Sequence, residues 1–223
     1  MRWDALDRRR GAGVAVVVAT AIASAVAAPA LPGAVATHWN AAGEVDGTTP
    51  RSVLLVGGPA LVAGTALVFE GLPRIDPLGE NVAAFQDAYD ATAVLVTGFL
   101  AYVDGFLLAS NAGYEVAVGR ALSPAVAVLL VGVGSLLERA EQNWFVGVRT
   151  PWTLSSAVVW RRTHDLSATL FKLAGVVALG GLVRPDLFVY LVAGPAAVIT
   201  VVATVYSYVV YTRVDGGERP GEG

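Results

Sequence analysis

Six long apolar runs divide this chain of 223 residues, and they constrain its fold more than any other feature. A helix that crosses a bilayer needs about 20 mainly apolar residues, because its backbone polar groups must be satisfied within the segment. The runs are 12–31, 53–72, 91–110, 121–137, 166–183 and 187–211, and the shortest two have 17 and 18 residues. We therefore predict an all-α polytopic membrane protein, a bundle of six transmembrane helices.

Composition supports a membrane protein and excludes several functions. Hydrophobic residues make up 55% of the chain and charged residues 15%, whereas a soluble domain carries about 25% charged residues. The chain has no Cys, which excludes disulfides and Cys-based metal sites. The net charge of −3 argues neither for nor against nucleic acid. Because no nucleotide-binding or hydrolase motif occurs, we predict no enzyme, no cofactor and no nucleic-acid partner.

Basic residues are distributed unevenly around the runs, which predicts the orientation of the chain. Lys and Arg are enriched in cytoplasmic loops. With the N-terminus inside, twelve of the fifteen basic residues lie on the inner side, and only Arg51, Arg120 and Arg184 lie outside. This predicts a multi-pass protein of the cell membrane with both termini in the cytoplasm. A signal peptide cleaved near Ala28 or Ala30 is the less favoured interpretation of the first run, which is longer than usual for one.

A stretch rich in Trp and Arg, NWFVGVRTPWTLSSAVVWRRTH, occupies residues 143–164 on the predicted inner side. Trp prefers the headgroup region, and cytoplasmic Arg meets anionic lipid. Trp144, Trp152 and Trp160 therefore indicate an anchor at the membrane interface, and a recognition site is the alternative.

Local signals predict the structure of this stretch and of the preceding inner loop. Pro151 is expected to exclude helix at the preceding Thr150, and Ser155 is expected to cap a short helix that follows. Trp160 and His164 fall one turn apart, so we expect their face of that helix to be buried. The arginines between them, Arg161 and Arg162, are expected to stay exposed to water. Val82, Phe85 and Tyr89 have helical spacing, which predicts that the third span begins as an amphipathic helix packed on the Trp-rich loop.

The loop LPGAVATHWNAAGEVDGTTPR, residues 31–51, lies on the predicted outer side. Asn40, Gly43, Asp46 and Gly47 are turn-forming residue types, and we expect hydrogen bonds to fold this loop over the helix ends. His38 and two nearby carboxylates offer too few ligands for a closed metal site. No metal is therefore predicted here.

Three ionisable side chains lie within the six runs, Glu70, Asp104 and Lys172. Charges inside a bilayer are costly and usually face a partner or a watery cavity. Glu70 and Lys172 lie near the inner surface and are expected to pair or to snorkel. Asp104 lies about 20 Å from the inner end of its span at the helical rise, with no charged partner at that level. It is predicted to be either a functional carboxyl or a packing residue that contacts Ser or Thr.

Three blocks in fixed order resemble the SdpI family of bacterial and archaeal membrane proteins. They are LPGAVATHWNAAGEVDG after the first run, LPRIDPLGENVAAFQDAY after the second, and the Trp-rich block of residues 143–164. The first part is similar to the domain of unknown function associated with that family. The resemblance implies an N-terminal domain over 1–90 with two spans and an SdpI-like domain over 91–213 with four. A Gly-rich, charged tail over 214–223 is predicted to be disordered.

The resemblance also implies a function. The protein that gives the family its name protects a cell from a secreted peptide toxin, and it signals by holding a transcriptional autorepressor at the membrane. On this chain the outer ligand candidates are His38, Trp39, Asn40, Gly43, Asp46 and Gly47. The inner motif comprises Asn143, Gly147, Arg149, Thr150, Pro151, Trp152, Thr153, Trp160 and His164. The implied partners are membrane lipids, a peptide toxin outside and a helix-turn-helix repressor inside.

Three functional hypotheses follow, in decreasing order of support. The first is toxin immunity, signalling or both, favoured by the resemblance and by motif-bearing loops on opposite faces. The second is a small-molecule or proton-coupled transporter that uses Asp104. The third is a membrane enzyme, for which the sequence offers no catalytic constellation.

Overall fold

A computed structural model describes residues 2–215, and six of the described helices are long and apolar enough to cross a membrane. These spans are Arg9–Ala30, Arg51–Ile75, Gly79–Asn111, Val118–Leu137, Ala157–Leu182 and Pro185–Val214. They overlap the six predicted runs in order, so the prediction of a polytopic α-helical protein is confirmed. Residues 216–223, which make up most of the predicted tail, lie outside the described residues.

Eight helices and one strand pair make up the described chain, together with four short 3-10 turns. The helices are α1 (Arg2–Ala27), α2 (Arg51–Ile75), α3 (Gly79–Val82), α4 (Gln86–Asn111), α5 (Val118–Leu137), α6 (Pro151–Ser155), α7 (Ala157–Ala178) and α8 (Phe188–Asp215). The strands are β1 (Ala34–Trp39) and β2 (Val45–Pro50). The 3-10 turns are Ala28–Ala30, Ala83–Phe85, Leu179–Leu182 and Pro185–Leu187.

The six long helices pack as two groups of three. Helices α1, α2 and α4 contact one another, α7 packs against both α5 and α8, and α4 joins the groups through its contact with α5. Glycine permits the extensive α5–α7 contact, because a Cβ on Gly134 would lie 2.7 Å from the carbonyl oxygen of Ala168. A Cβ on Gly175 would lie 2.8 Å from the carbonyl oxygen of Ala127. Small residues therefore allow close helix contact in this half of the bundle.

The connection between α1 and α2 is a strand hairpin, which the sequence analysis did not predict. Strands β1 and β2 pair antiparallel, with Val35 opposite Thr49 and Trp39 opposite Val45, and the register is irregular near His38. Residues 34–50 are called the hairpin below. It packs onto the helix ends, as expected, and it is the only sheet among the described residues.

The opposite end of the bundle carries an apolar cluster where the third span begins. Val82, Phe85 and Tyr89 are buried there with Leu136, and Val146 packs against them. The predicted amphipathic start of this span and its contact with the Trp-rich loop are therefore confirmed. Residues 141–164 are called the cap below, because they cover this end of the bundle.

Candidate functional site

The hairpin is held in place by a side chain 75 residues further along the chain. The Ala36 N–H donates to Asn111 Oδ1 (2.7 Å), and Asn111 Nδ2 donates back to the Ala36 carbonyl (2.9 Å). The Asn111 amide thus acts on β1 as a third strand would. Val35 is fully buried against Leu54 and Leu108, and these contacts fix the hairpin against the ends of α2 and α4.

Three of the predicted outer residues shape the tip of the hairpin. Asn40 Oδ1 accepts hydrogen bonds from the backbone N–H groups of Ala42 (2.9 Å) and Glu44 (3.0 Å). Gly43 has a φ of 80°, which favours glycine. A Cβ on Gly47 would lie 2.9 Å from His38 Cβ across the strands. The predicted turn chemistry is therefore present, within a tight hairpin.

The remaining predicted outer residues form its surface. His38 Nδ1 lies 2.5 Å from Asp46 Oδ1, and the two side chains are 72% and 41% exposed. The Trp39 ring is half-buried against Phe106, with ring centroids 5.6 Å apart. Within residues 2–215 no group of three or more His, Asp or Glu residues is placed to hold a metal ion. The hairpin thus presents the pair of His38 and Asp46 on its surface, beside a second exposed pair at the tip, Asn40 and Glu44 (3.1 Å).

Asn143 organises the start of the cap from a fully buried position. Its Oδ1 accepts from the N–H groups of Phe145 (3.0 Å) and Val146 (2.6 Å). Its Nδ2 donates to the carbonyls of Glu141 (2.9 Å) and Val146 (3.0 Å). All four hydrogen-bonding positions of the amide are therefore used to fold the loop.

The RTPWT segment folds as a capped helix, and one local prediction for it is wrong. Thr150 is extended, with a ψ of 162°, as predicted for the residue before Pro151, and Pro151 itself occupies the first turn of α6, where its missing N–H needs no partner. Thr150 caps this helix in a reciprocal box with Thr153. Ser155 is the last residue of α6, and Ser156 caps α7 instead, through the Val159 N–H at 3.4 Å.

His164 links the cap to the face of α7 through both ring nitrogens. Nε2 lies 3.1 Å from the Val148 nitrogen and accepts its N–H, and Nδ1 lies 2.8 Å from the Trp160 carbonyl and donates to it. This pattern requires the neutral ring with its proton on Nδ1. Gly147 has a φ of 118°, and its lack of a Cβ leaves room for the imidazole.

Trp160 is a core residue of the cap, and its predicted role as an interfacial anchor is wrong. Its side chain is 2% exposed, its Nε1 donates to the Ala140 carbonyl (2.8 Å), and its ring stacks on His164 at 4.0 Å. Arg161 and Arg162 are exposed, so the prediction of one buried and one wet face is confirmed. The anchor interpretation fits Trp144 better, because half of that residue is exposed.

Polar contacts outside the predicted motif fasten the cap to the connection between α2 and α4. Asp76 Oδ2 accepts from the Trp144 N–H (3.0 Å), and Asn81 Nδ2 donates to the Gln142 carbonyl (2.7 Å). Sequence reasoning missed Asp76, Asn81 and Asn111. The signal available for the first two was their place in the second family-like block.

The exposed surface of the cap is cationic and aromatic. Arg149 is exposed while its Nη1 donates to the Trp144 carbonyl (2.6 Å). Trp152 is half-buried against Tyr208 of α8, with ring centroids 5.1 Å apart. Arg161 Nη2 pairs with Glu141 at 3.0 Å. These side chains face outward, whereas Asn143, Thr153, Trp160 and His164 build the interior.

The predicted pair of Glu70 and Lys172 is wrong. The two residues lie in the two different helix groups, Glu70 in α2 and Lys172 in α7. Glu70 instead pairs with Arg9, Arg10 and Arg74 at the cap end of α1 and α2. Lys172 pairs with Glu138 at the end of α5, at 2.5 Å. Both residues are thus paired with opposite charges.

Asp104 is a buried carboxyl without a strong partner where α1, α2 and α4 meet. It is 4% exposed, and Gly58 of α2 approaches it so closely that a Cβ there would collide with the carboxyl group. The Ser24 hydroxyl lies beside it, yet by hydrogen-bond geometry neither group has a partner within the described residues. A buried ion without a partner is very costly, which sets Asp104 apart from the paired carboxylates at the cap end.

Comparison with known proteins gives matches to the segments that contain the cap and the hairpin. The family described as the SdpI/YfhL protein family matches residues 139–207, and the domain of unknown function DUF1648 matches residues 15–63. The immunity protein SdpI of Bacillus subtilis (strain 168) is 27% identical over 105 residues, which are 47% of this chain and 51% of that protein. The match therefore spans about half the length of that relative. No solved structure matches the chain.

Six apolar spans, with a strand hairpin at one end and a hydrogen-bonded cap at the other, define a multi-pass α-helical membrane protein. One family match covers the cap, α7 and much of α8, and the other covers the second half of α1, the hairpin and the first half of α2. The resemblance to the SdpI family seen in the sequence is confirmed, with the family match itself confined to residues 139–207.

Proposed function

We propose that this protein protects its cell against a secreted peptide toxin and transmits the encounter to a transcriptional repressor at the inner membrane surface. One observation carries the proposal. The segments that match the two family descriptions include the two structured surfaces of the molecule, the hairpin and the cap, which lie at opposite ends of the spans. The immunity protein SdpI is a relative by sequence.

Orientation follows from charge. Basic residues gather at the cap end, and such residues are enriched on the cytoplasmic side. We therefore take the cap and both termini as cytoplasmic and the hairpin as external. In that arrangement the hairpin meets a peptide arriving from outside, and the exposed arginines of the cap meet an acidic surface of a helix-turn-helix repressor.

The hairpin is suited to peptide binding because its shape does not depend on the exposed pair. Asn40 and Asn111 hold the tip and the base, so His38 and Asp46 are displayed on a preformed surface. A preformed surface loses little conformational entropy on binding.

The immunity proposal is tested by survival. Expression in a sensitive host should raise survival against the peptides encoded near the gene, and Asp46→Ala should reduce that protection at an unchanged membrane level. Glu115→Gln is the matched control, because it removes an exposed carboxylate from the connection between α4 and α5 at the same end. Equal killing with and without the protein, across those peptides, would contradict immunity.

The signalling proposal is tested at the cap. Substitution of Arg149 or Trp152 should abolish protection or repressor recruitment, because both side chains belong to the outward surface of the cap. Arg213→Gln removes a cation from the last turn of α8, at the cap end of the bundle, and serves as the control. If a tagged repressor from the same gene neighbourhood stays soluble with the wild-type protein, the signalling part of the proposal fails.

Proton-coupled transport is the second candidate, favoured by the burial of Asp104. A carboxyl without a charged partner within a span is a common feature of proton pathways. If the protein couples transport to protons, proteoliposomes will show proton uptake that Asp104→Asn removes and that the exposed control Asp165→Asn keeps. Uptake that is equal in wild type and Asp104→Asn would leave Asp104 as a packing residue.

A further inference from the structure

A groove of about 450 Å³ opens between α1, α2 and α4 in the half of the bundle nearer the cap. Away from its charged end its walls are mostly apolar. They include Gly13 and Val17 of α1, Ala63 and Ala66 of α2, and Ala93 and Thr97 of α4. Val14 and Leu67 are 63% and 71% exposed, so the groove is open on its side toward the bilayer.

Charged side chains stand at the cap end of this groove. Glu70 accepts from Arg9, from Arg10 Nη2 (2.6 Å) and from Arg74 Nη2 (2.7 Å). Arg9 Nη1 also lies 3.0 Å from Asp90 Oδ1. Among the side chains that the structure describes, three guanidinium groups and two carboxylates thus gather at the mouth of an apolar groove.

Two of the arginines at this mouth are open to the surroundings. The Arg10 and Arg74 side chains are 48% and 58% exposed, and both Nη atoms of Arg74 bond to Glu70. The Arg9 side chain is 10% exposed and lies between Glu70 and Asp90. Arg10 and Arg74 are therefore the guanidinium groups that an acceptor from outside the chain can reach.

We propose that this groove is a binding site for one anionic phospholipid of the leaflet on the cap side. An acyl chain lies along the small apolar walls, and the lipid phosphate accepts hydrogen bonds from the arginines at the mouth. Guanidinium groups bind phosphate in a planar, two-pronged geometry. Basic pockets between transmembrane helices on the cytoplasmic side are known to hold anionic lipid headgroups.

The shape and the charge favour a lipid over a second protein chain. The groove opens sideways toward hydrocarbon, where an acyl chain is always available, and the exposed guanidinium groups of Arg10 and Arg74 stand at its mouth. A bound lipid would also cover exposed apolar surface between α1 and the rest of its group. It would therefore add to the packing of α1, whose second half lies within the match to residues 15–63.

Native mass spectrometry of the full chain released from nanodiscs tests this directly. With equal amounts of phosphatidylglycerol and phosphatidylethanolamine, we expect one retained phosphatidylglycerol per chain. Arg10→Gln with Arg74→Gln should weaken its retention about fivefold for each arginine. Ala66→Leu should remove the retained lipid by filling the groove while leaving every charge in place.

Two matched controls separate the groove from its surroundings. Ala60→Leu makes the same change on an exposed face of α2 outside the groove, and Arg213→Gln removes a cation from the same end of the bundle. Both should keep the lipid. Equal retention of the two lipids, loss of lipid in the controls, unchanged retention in Ala66→Leu, or a second copy of the chain as the bound species would overturn the proposal. None of these readouts depends on a toxin.

Discussion

Gly147→Ala is the substitution that tests the architecture of the cap most sharply. At the φ of 118° found for Gly147, a residue with a Cβ is strained by about 1 to 3 kcal/mol. The new methyl group would also collide with His164 Nε2 and displace the ring from its hydrogen bond with the Val148 N–H. Leaving these groups unpaired costs a further 1 to 3 kcal/mol, roughly. We expect a total loss of about 2 to 6 kcal/mol in the free energy of unfolding.

Gly113→Ala is a control for the backbone part of this loss. Gly113 has a φ of 98°, and no atom lies within 4 Å of a Cβ built there. Its substitution should cost only the strain, about 1 to 3 kcal/mol. Both variants would be unfolded reversibly with SDS in mixed micelles and followed by circular dichroism.

A double-mutant cycle assigns the difference to the imidazole. In a His164→Ala background the collision is removed, so Gly147→Ala should cost no more than Gly113→Ala. The reasoning fails if the two alanine variants are equally destabilised in the wild-type background, or if the extra loss at Gly147 persists without the ring.

Three further substitutions probe other contacts. Trp160→Phe leaves the buried Ala140 carbonyl without its donor and should cost about 1 to 3 kcal/mol of unfolding free energy, which the same SDS titration measures. Asn111→Ala should increase hydrogen exchange of the hairpin amides and leave the spans protected, because its amide is bonded to β1. Glu138→Gln should change stability by less than about 1 kcal/mol, because its pair with Lys172 is partly exposed; a larger loss would indicate a more buried pair.

The parts of the fold predicted from sequence depend on neighbours within a few turns. Apolar runs of bilayer length identify spans without knowledge of their partners. The spacing of Val82, Phe85 and Tyr89, and that of Trp160 and His164, reports which side of a helix is buried. Each of these predictions uses residues that are close in the chain, and each is confirmed.

The parts that were missed depend on distant residues or on a choice between local signals. The hairpin is completed by Asn111, and Glu70 is paired with arginines about 60 residues earlier in the chain. No local pattern contains such pairings. At Pro151 the prediction covered only the extended Thr150, whereas proline also begins helices and the Thr150 side chain caps one here.

Single cysteines introduced into this cysteine-free chain test the arrangement on which the proposed function depends. The two substitutions are Ala42→Cys and Ser155→Cys. Ala42 is exposed at the tip of the hairpin, and Ser155 is exposed on the cap. A membrane-impermeant maleimide should label residue 42 in intact cells and residue 155 only after the membrane is opened. Labelling of residue 155 in intact cells, or protection of residue 42 until lysis, would contradict an external hairpin and a cytoplasmic cap.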